Sequence, residues 1–236
     1  MSHVADPADD RPLPTSGSLC APFVTDLGVS GASISVVSYG GLQSTVCSSD
    51  ATVARAEALQ FELGEGPHWD ALASRAPVFA TDLNAPTESR WPLLSDGVRG
   101  LGIASIFAFP MVMGAALVGV VDLYSTKARS VDQEFIAKAS LAAGRVAMGA
   151  VQQALRSATD PRSAESPMAP ALRREVHQAT GMIIAQLDIS ATDAFSRLQG
   201  HSFATGRPIA EVAHEVVRGG LAFDNLPDDD TTQEGE

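Results

Sequence analysis

Few side chains in this 236-residue chain are placed to do chemistry. It holds two thiols, Cys20 and Cys47. That is too few for a disulfide framework, and they lack any C-x-x-C spacing, so both are expected to be reduced thiols. His68 is a candidate haem or metal ligand, but no second His, Cys or carboxylate is placed by sequence to complete a site, so no metal is expected there. No G-x-S-x-G, P-loop or H-E-x-x-H pattern occurs, which leaves nucleophilic, phosphate-cradling and zinc-hydrolytic catalysis without carriers; the chain is read as a non-enzyme. Between Glu165 and Phe223 stand five arginines, no lysine and six carboxylates, so any anion recognition there is local rather than a field effect.

The elements that position these groups follow from periodicity. Ala32–Val36 alternates apolar and polar, Tyr39–Gly41 reads as a turn, and Leu42–Ser48 is β-prone, which predicts a hairpin. Asp50–Phe61 and His68–Ser74 suit helices, with Leu63-Gly64-Glu65-Gly66-Pro67 as the break between them, and Pro77–Thr81 reads as extended. Asn84–Gly102, with Trp91-Pro92, is expected to be loop and helix. Ile103–Met111 and Ala115–Tyr124 predict a second hairpin joined across Val112-Met113-Gly114, with Leu117, Gly119, Val121 and Leu123 on one face. Ser130-Val131-Asp132-Gln133 is read as a capping box opening a long helix to about Ser157. Its small-residue surface, from Ala139 to Ala154, suits either a helix-to-helix dimer contact or a cover for the sheet.

Thr159–Ala169 has linker composition. Three helical patterns follow. Leu172, Val176, Ala179, Ile183 and Leu187 form one stripe; Ser190 with Asp193 caps a second helix whose core is Phe195, Leu198 and Phe203; Gly206 stops it, Pro208 suits the first turn of the next, and Ile209, Val212, Ala213, Val216 and Val217 complete the third stripe before Gly219-Gly220.

Gln178-Ala179-Thr180-Gly181-Met182-Ile183-Ile184, then Ile189-Ser190 with Asp193-Ala194-Phe195 and Arg197-Leu198, then Thr205-Gly206-Arg207-Pro208-Ile209-Ala210-Glu211-Val212-Ala213, resemble the ANTAR domain of transcription antitermination regulators. The resemblance implies a three-helix domain that binds hairpins in nascent transcripts, usually as a dimer. Arg207 and Arg197 are its candidate contacts, because a guanidinium pairs with phosphate or stacks on an unpaired base; Arg173, Arg174, Gln178 and Thr180 extend that surface. Thr180 stands where the family often carries Lys. A DNA-reading helix-turn-helix is disfavoured, since Pro208–Arg218 offers two Glu and one terminal Arg to a groove.

The preceding order of hairpin, helix, extended segment, hairpin and long helix resembles the GAF domain, and Phe61-Glu62-Leu63-Gly64-Glu65-Gly66-Pro67 is similar to a stretch frequent in GAF domains joined to ANTAR domains. This implies a small-molecule pocket with Gly64, Gly66, His68 and Trp91 as candidate ligand-binding residues, the ligand and any cofactor being unknown. Some GAF domains reduce methionine sulfoxide through cysteines, which is one alternative; a degenerate ANTAR domain acting only through protein contacts is another. The expected fold is α+β: a tail at 1–17, a GAF-like antiparallel sheet flanked by helices at 18–157, a linker at 158–169, an all-α ANTAR-like domain at 170–223 and an acidic tail at 224–236. RNA, a small-molecule ligand and a second copy are the expected partners. With no apolar run long enough to span a bilayer and an acidic, Pro-bearing start, a cytoplasmic location is expected.

Overall fold

The computed structural model describes residues 18–37, 43–85, 88, 90–159 and 169–225. The proposed tail at 1–17, the Tyr39–Gly41 turn, most of the proposed linker and nearly all of the acidic tail lie outside the described residues. So do the side chains of 159, 169–174 and 225. The chain divides into two compact units, one holding most of the sheet and one holding the last three helices.

In the first unit the elements run α1 (Ala21–Leu27), β1 (Gly31–Val37), β2 (Gln43–Ser48), α2 (Ala51–Leu63), α3 (Pro67–Ser74), β3 (Val78–Ala80), α4 (Pro92–Arg99), β4 (Ser105–Met113), β5 (Ala116–Ser125) and α5 (Gln133–Thr159). The strands form one sheet in the order β2-β1-β5-β4-β3, with β1 antiparallel to β5, β5 to β4 and β4 to β3. Register explains the two faces. Ile34 pairs with Val121 and Ala32 with Leu123, and these point to a core shared with Phe107, Phe109, Phe135 and helices α1 and α5. One residue along, Ser33 pairs with Asp122 and Gly31 with Tyr124, and these face α2 and α3, because side chains alternate across a strand.

Three differences from the sequence reading have local causes. Helix α1 was not anticipated; at seven residues it is too short to show a periodic stripe. Strand β4 continues through Met113 across an irregularity at Met111/Val112, so the turn falls at Gly114, whose φ of 62° suits glycine. The start of α5 is set by Asp132, which accepts the Phe135 N–H at 2.7 Å, rather than by Ser130. The small-residue face of α5 is also accounted for: Ala139, Ala143, Ala147 and Ala150 are fully buried against the sheet, letting the helix sit close to it. That face is spent within its own unit and is not a surface for a dimer.

The cysteine expectation is corrected as well. Cys20 and Cys47 form a disulfide across 27 residues, both sulfurs buried. The fold brings the start of α1 against β2, a proximity that no local spacing encodes.

The second unit contains α6 (Ala169–Leu187), α7 (Ala191–Thr205) and α8 (Ile209–Val217), followed by a 3-10 turn at Phe223–Asn225. Val176, Ala179, Ile183, Leu198, Ile209, Val212, Ala213 and Val216 are buried as the stripes predict. Ser190 accepts the Asp193 N–H at 3.1 Å, so the predicted cap forms, and Gly206 closes α7 in the left-handed conformation. Pro208 precedes α8 as its N-cap rather than opening its first turn. Phe203 is not core: it is 77% exposed, because it lies on the side of α7 away from Leu198 and Ala194.

Candidate functional sites

In the sheet unit, one residue organises the polar groups beneath α2 and α3. Gln60 on α2 is buried; its amide Nε2 donates to the Tyr124 hydroxyl at 3.3 Å, its Oε1 accepts the His68 backbone N–H at 3.0 Å, and its backbone carbonyl accepts the Trp69 indole N–H at 2.6 Å. His68 Nδ1 stands 2.6 Å from Asp122 Oδ2, both side chains almost wholly buried. Glu57, one turn before Gln60, accepts from Thr45 at 3.2 Å and Ser48 at 3.4 Å. Burial, with the Asp122 and Glu57 carboxylates nearby, pushes the Tyr124 hydroxyl well above its usual pKa and keeps it neutral.

Three polar atoms on this face of the sheet, Asp122 Oδ1, Ser33 Oγ and Ser35 Oγ, are buried without a hydrogen-bond partner among the described residues. A buried carboxylate oxygen left unpaired is costly, and such atoms mark places where water or a polar ligand is accommodated. Gln60, Glu57, Asp122 and Tyr124 were not singled out in the sequence. The available signal was an Asp inside an otherwise apolar strand, Val120-Val121-Asp122-Leu123-Tyr124, since a carboxylate is rarely buried in a sheet unless it has a partner.

The Gly-rich stretch plays a different part from the one expected. Gly64 is the exposed left-handed C-cap of α2, its N–H donating to the Gln60 carbonyl at 3.0 Å. Glu65 accepts the Leu94 N–H at 2.7 Å and so caps the start of α4. Gly66, at φ 129°, has no room for a Cβ, which would meet the Gln60 side chain and Leu94. Pro67 opens α3. The close backbone approach expected of a ligand at Gly64 and Gly66 is therefore taken up by helix caps and by Gln60. Trp91 is likewise core: it is 2% exposed, packs with Leu94 and Tyr124, and carries the Arg90 guanidinium 4.1 Å above its ring. Of the four candidate ligand residues, His68 alone belongs to the polar cluster as a side chain, with Gly66 behind it. Among the described residues no group of His, Cys, Asp and Glu is arranged to hold a metal ion.

In the helical unit the candidate RNA contacts separate. Arg197 on α7 and Gln178 on α6 are exposed. Arg207 is engaged: its Nη1 lies 2.7 Å from Glu215 Oε2, and its Nε 3.9 Å from Glu211. A shallow groove of about 730 Å³ runs beside it, lined also by His214 and Arg218, so carboxylates share the space with the cations. Thr180 is not a surface residue: it is fully buried, and its hydroxyl donates to the Val176 carbonyl at 2.8 Å, as a mid-helix Thr without a polar neighbour does. It cannot touch RNA without opening the bundle. Arg173 and Arg174 fall on α6, but their side chains are outside the description.

The described residues thus hold a helix-covered sheet with polar atoms buried beneath one layer and, later in the sequence, a helical bundle. Residues 18–149 match the GAF domain and residues 168–217 the ANTAR domain. The chain belongs to the GAF domain family, its GAF domain being followed by an ANTAR domain, a pairing of a sensory domain type with an RNA-binding domain type. Among solved structures it is similar to a domain of a Sinorhizobium meliloti 1021 protein described as a two-component sensor histidine kinase, at 18% identity over 60% of this chain and 91% of that one, TM-score 0.46. It is similar also to the GAF domain of the cyanobacteriochrome TePixJ, at 18% over 58% and 87%, TM-score 0.45, and to the GAF domain region of a Geobacter sulfurreducens PCA protein, at 20% over 57% and 88%, TM-score 0.47. No curated protein matches the chain. Among the described residues, no helix is long and apolar enough to cross a membrane.

Proposed function

We propose that the protein is a transcription antitermination regulator: its ANTAR domain binds hairpins in nascent RNA, and its GAF domain senses a small polar ligand and supports dimer formation. The observation that carries the reading is the joining of the two domains in one chain, GAF at 18–149 and ANTAR at 168–217. Acting on nascent transcripts would place it in the cytoplasm. Arg197 and Gln178 are the open contacts, and Arg207 joins them when RNA phosphate displaces Glu215. The domains are taken to run from 18 to 157 and from 170 to 223, joined by 158–169 as linker. In the sensory part, the unpaired Asp122 Oδ1 favours a ligand that donates a hydrogen bond, and the unpaired Ser33 and Ser35 hydroxyls can donate or accept. The homodimer part rests on α5, where Leu141, Met148 and Leu155 are each more than half exposed and recur every seven residues, the period of a helix seam.

Arg207's ion pairs favour a second reading, a bundle that has given up RNA for protein contacts. Methionine sulfoxide reduction has less support, because Cys20 and Cys47 are buried in the apolar core, away from any substrate. The test is binding of the full chain to a pool of two-hairpin RNAs at several salt concentrations. Affinity with a shallow salt slope, weakened by Arg197→Ala, supports loop readout by few cations. Absence of any complex across the pool favours the second reading.

A further inference from the structure

We infer that Phe203, Gly200 and Arg197 form a stacking notch on α7 that takes one unpaired RNA base; this rests on the RNA-binding reading above and names the part of the surface that carries it. Successive residues of a helix are turned by about 100° and raised by 1.5 Å. Gly200 therefore lies midway, in both angle and height, between Arg197 and Phe203. Arg197 and Gly200 are exposed, Phe203 is 77% exposed, and a Cβ built on Gly200 meets nothing within 4 Å. The result is a bare stretch of backbone with an aromatic ring on one side and a guanidinium on the other, about 9 Å apart along the axis.

The electrostatics separate this face from the rest of the bundle. The groove beside α8 holds Glu211 and Glu215, which already occupy Arg207. On α7 the sole carboxylate is Asp193, in the first turn and four residues before Arg197 on the same face, where it accepts the Ser190 hydroxyl at 2.6 Å. Around the notch the exposed residues are Ser196 and Ala204, uncharged and short. A module of net charge near zero gains little from phosphate attraction, so affinity for RNA must come from contacts that do not scale with charge. Stacking of a splayed-out base on an aromatic ring is the main such contact in single-stranded RNA recognition, and it is worth roughly tenfold or more per base. A ring left open beside a residue with no side chain gives a base both a face to stack on and room to lie. Arg197 is then placed to meet the base edge or the neighbouring phosphate.

The test uses the full chain and two-hairpin RNAs selected from a randomised-loop pool, with 2-aminopurine placed at each loop position in turn. One loop position is expected to show fluorescence quenching on binding. Phe203→Ala is expected to remove that quenching and weaken binding about tenfold, Phe203→Tyr to retain both, and Gly200→Ile to weaken binding by closing the notch. Because the Phe203 side chain is exposed, thermal unfolding of its variants should match the parent, with Phe203→Ser replacing Phe203→Ala if it does not, while Gly200→Ile, which removes a mid-helix glycine, should unfold no earlier than the parent. If Phe203→Ala binds within about twofold of the parent while Arg197→Ala loses affinity, the notch is overturned and RNA binding stands. If the parent binds no RNA in the pool, both fail. If Phe203→Ala instead changes the oligomeric state and leaves RNA affinity alone, the ring belongs to a protein contact and the notch is overturned.

Discussion

Opening the Cys20–Cys47 bond offers a quantitative check on the sheet unit. The crosslink closes a chain segment of 27 residues and ties α1 to β2 at one edge of the sheet. In the loop-closure account, the entropy removed from the unfolded chain by a ring of that length is worth about 3.5 kcal/mol at room temperature. For a unit of this size that corresponds to a fall of roughly 10 °C in unfolding midpoint when the bond is reduced. The cleanest comparison is oxidised against reduced parent protein, since the side chains are identical; a Cys20→Ala, Cys47→Ala variant adds the loss of two buried sulfurs and should fall slightly further. Urea unfolding followed by far-UV dichroism, with and without reductant, gives the difference. Because both residues are buried, reductant should act on the native protein only at the rate of opening. Two free thiols titrated in denaturant without reductant, or coincident unfolding curves for the two forms, would refute the pairing and the reasoning built on it.

Three further outcomes follow from particular contacts. Glu215→Gln should release Arg207 and raise RNA affinity several-fold while changing stability by less than about 1 kcal/mol, since the pair is part-exposed; filter binding and a melt on the same sample check both halves. Gly66→Ala should destabilise the sheet unit by about 2 kcal/mol or more, because it combines a positive φ with a clash against the Gln60 side chain; a denaturation midpoint equal to the parent's would sink the account of that loop. Tyr124 is held neutral by burial, so in the folded state it retains its proton where the unfolded chain, with a tyrosine pKa of about 10, releases it. The stability this contributes is therefore complete below about pH 10 and is lost as pH rises beyond it, with unfolding and tyrosinate absorbance appearing together.

The layers of this protein were legible in the sequence to the extent that they are local. Alternation in β1 and along Leu117–Leu123, the four-three spacing on α6 and α8, and the Ser190 cap each depend on residues a few positions apart, and each appears where it was expected. The sites were legible to a lesser degree. Gly64, Gly66 and Trp91 drew attention for their residue types, yet their environment assigns them to caps and core. Thr180 lies beside Ala179 on the inward side of α6, so what looked like a replaced surface cation is a buried hydroxyl satisfied by its own helix. Phe203 breaks the pattern in the opposite sense, an aromatic turned to solvent by its angle on α7.

By itself, the sequence determined the order and type of the elements after α1, the helical trio and the domain pairing, because periodicity, caps and short motifs are written over a few consecutive residues. Only the tertiary structure decided which polar groups meet. Gln60 reaches Tyr124 from 64 positions away and His68 reaches Asp122 from 54, while Cys20 finds Cys47 across 27. Those encounters depend on strand register and on the layer each helix covers, and a one-residue shift in strand register would turn the same side chains to the opposite face.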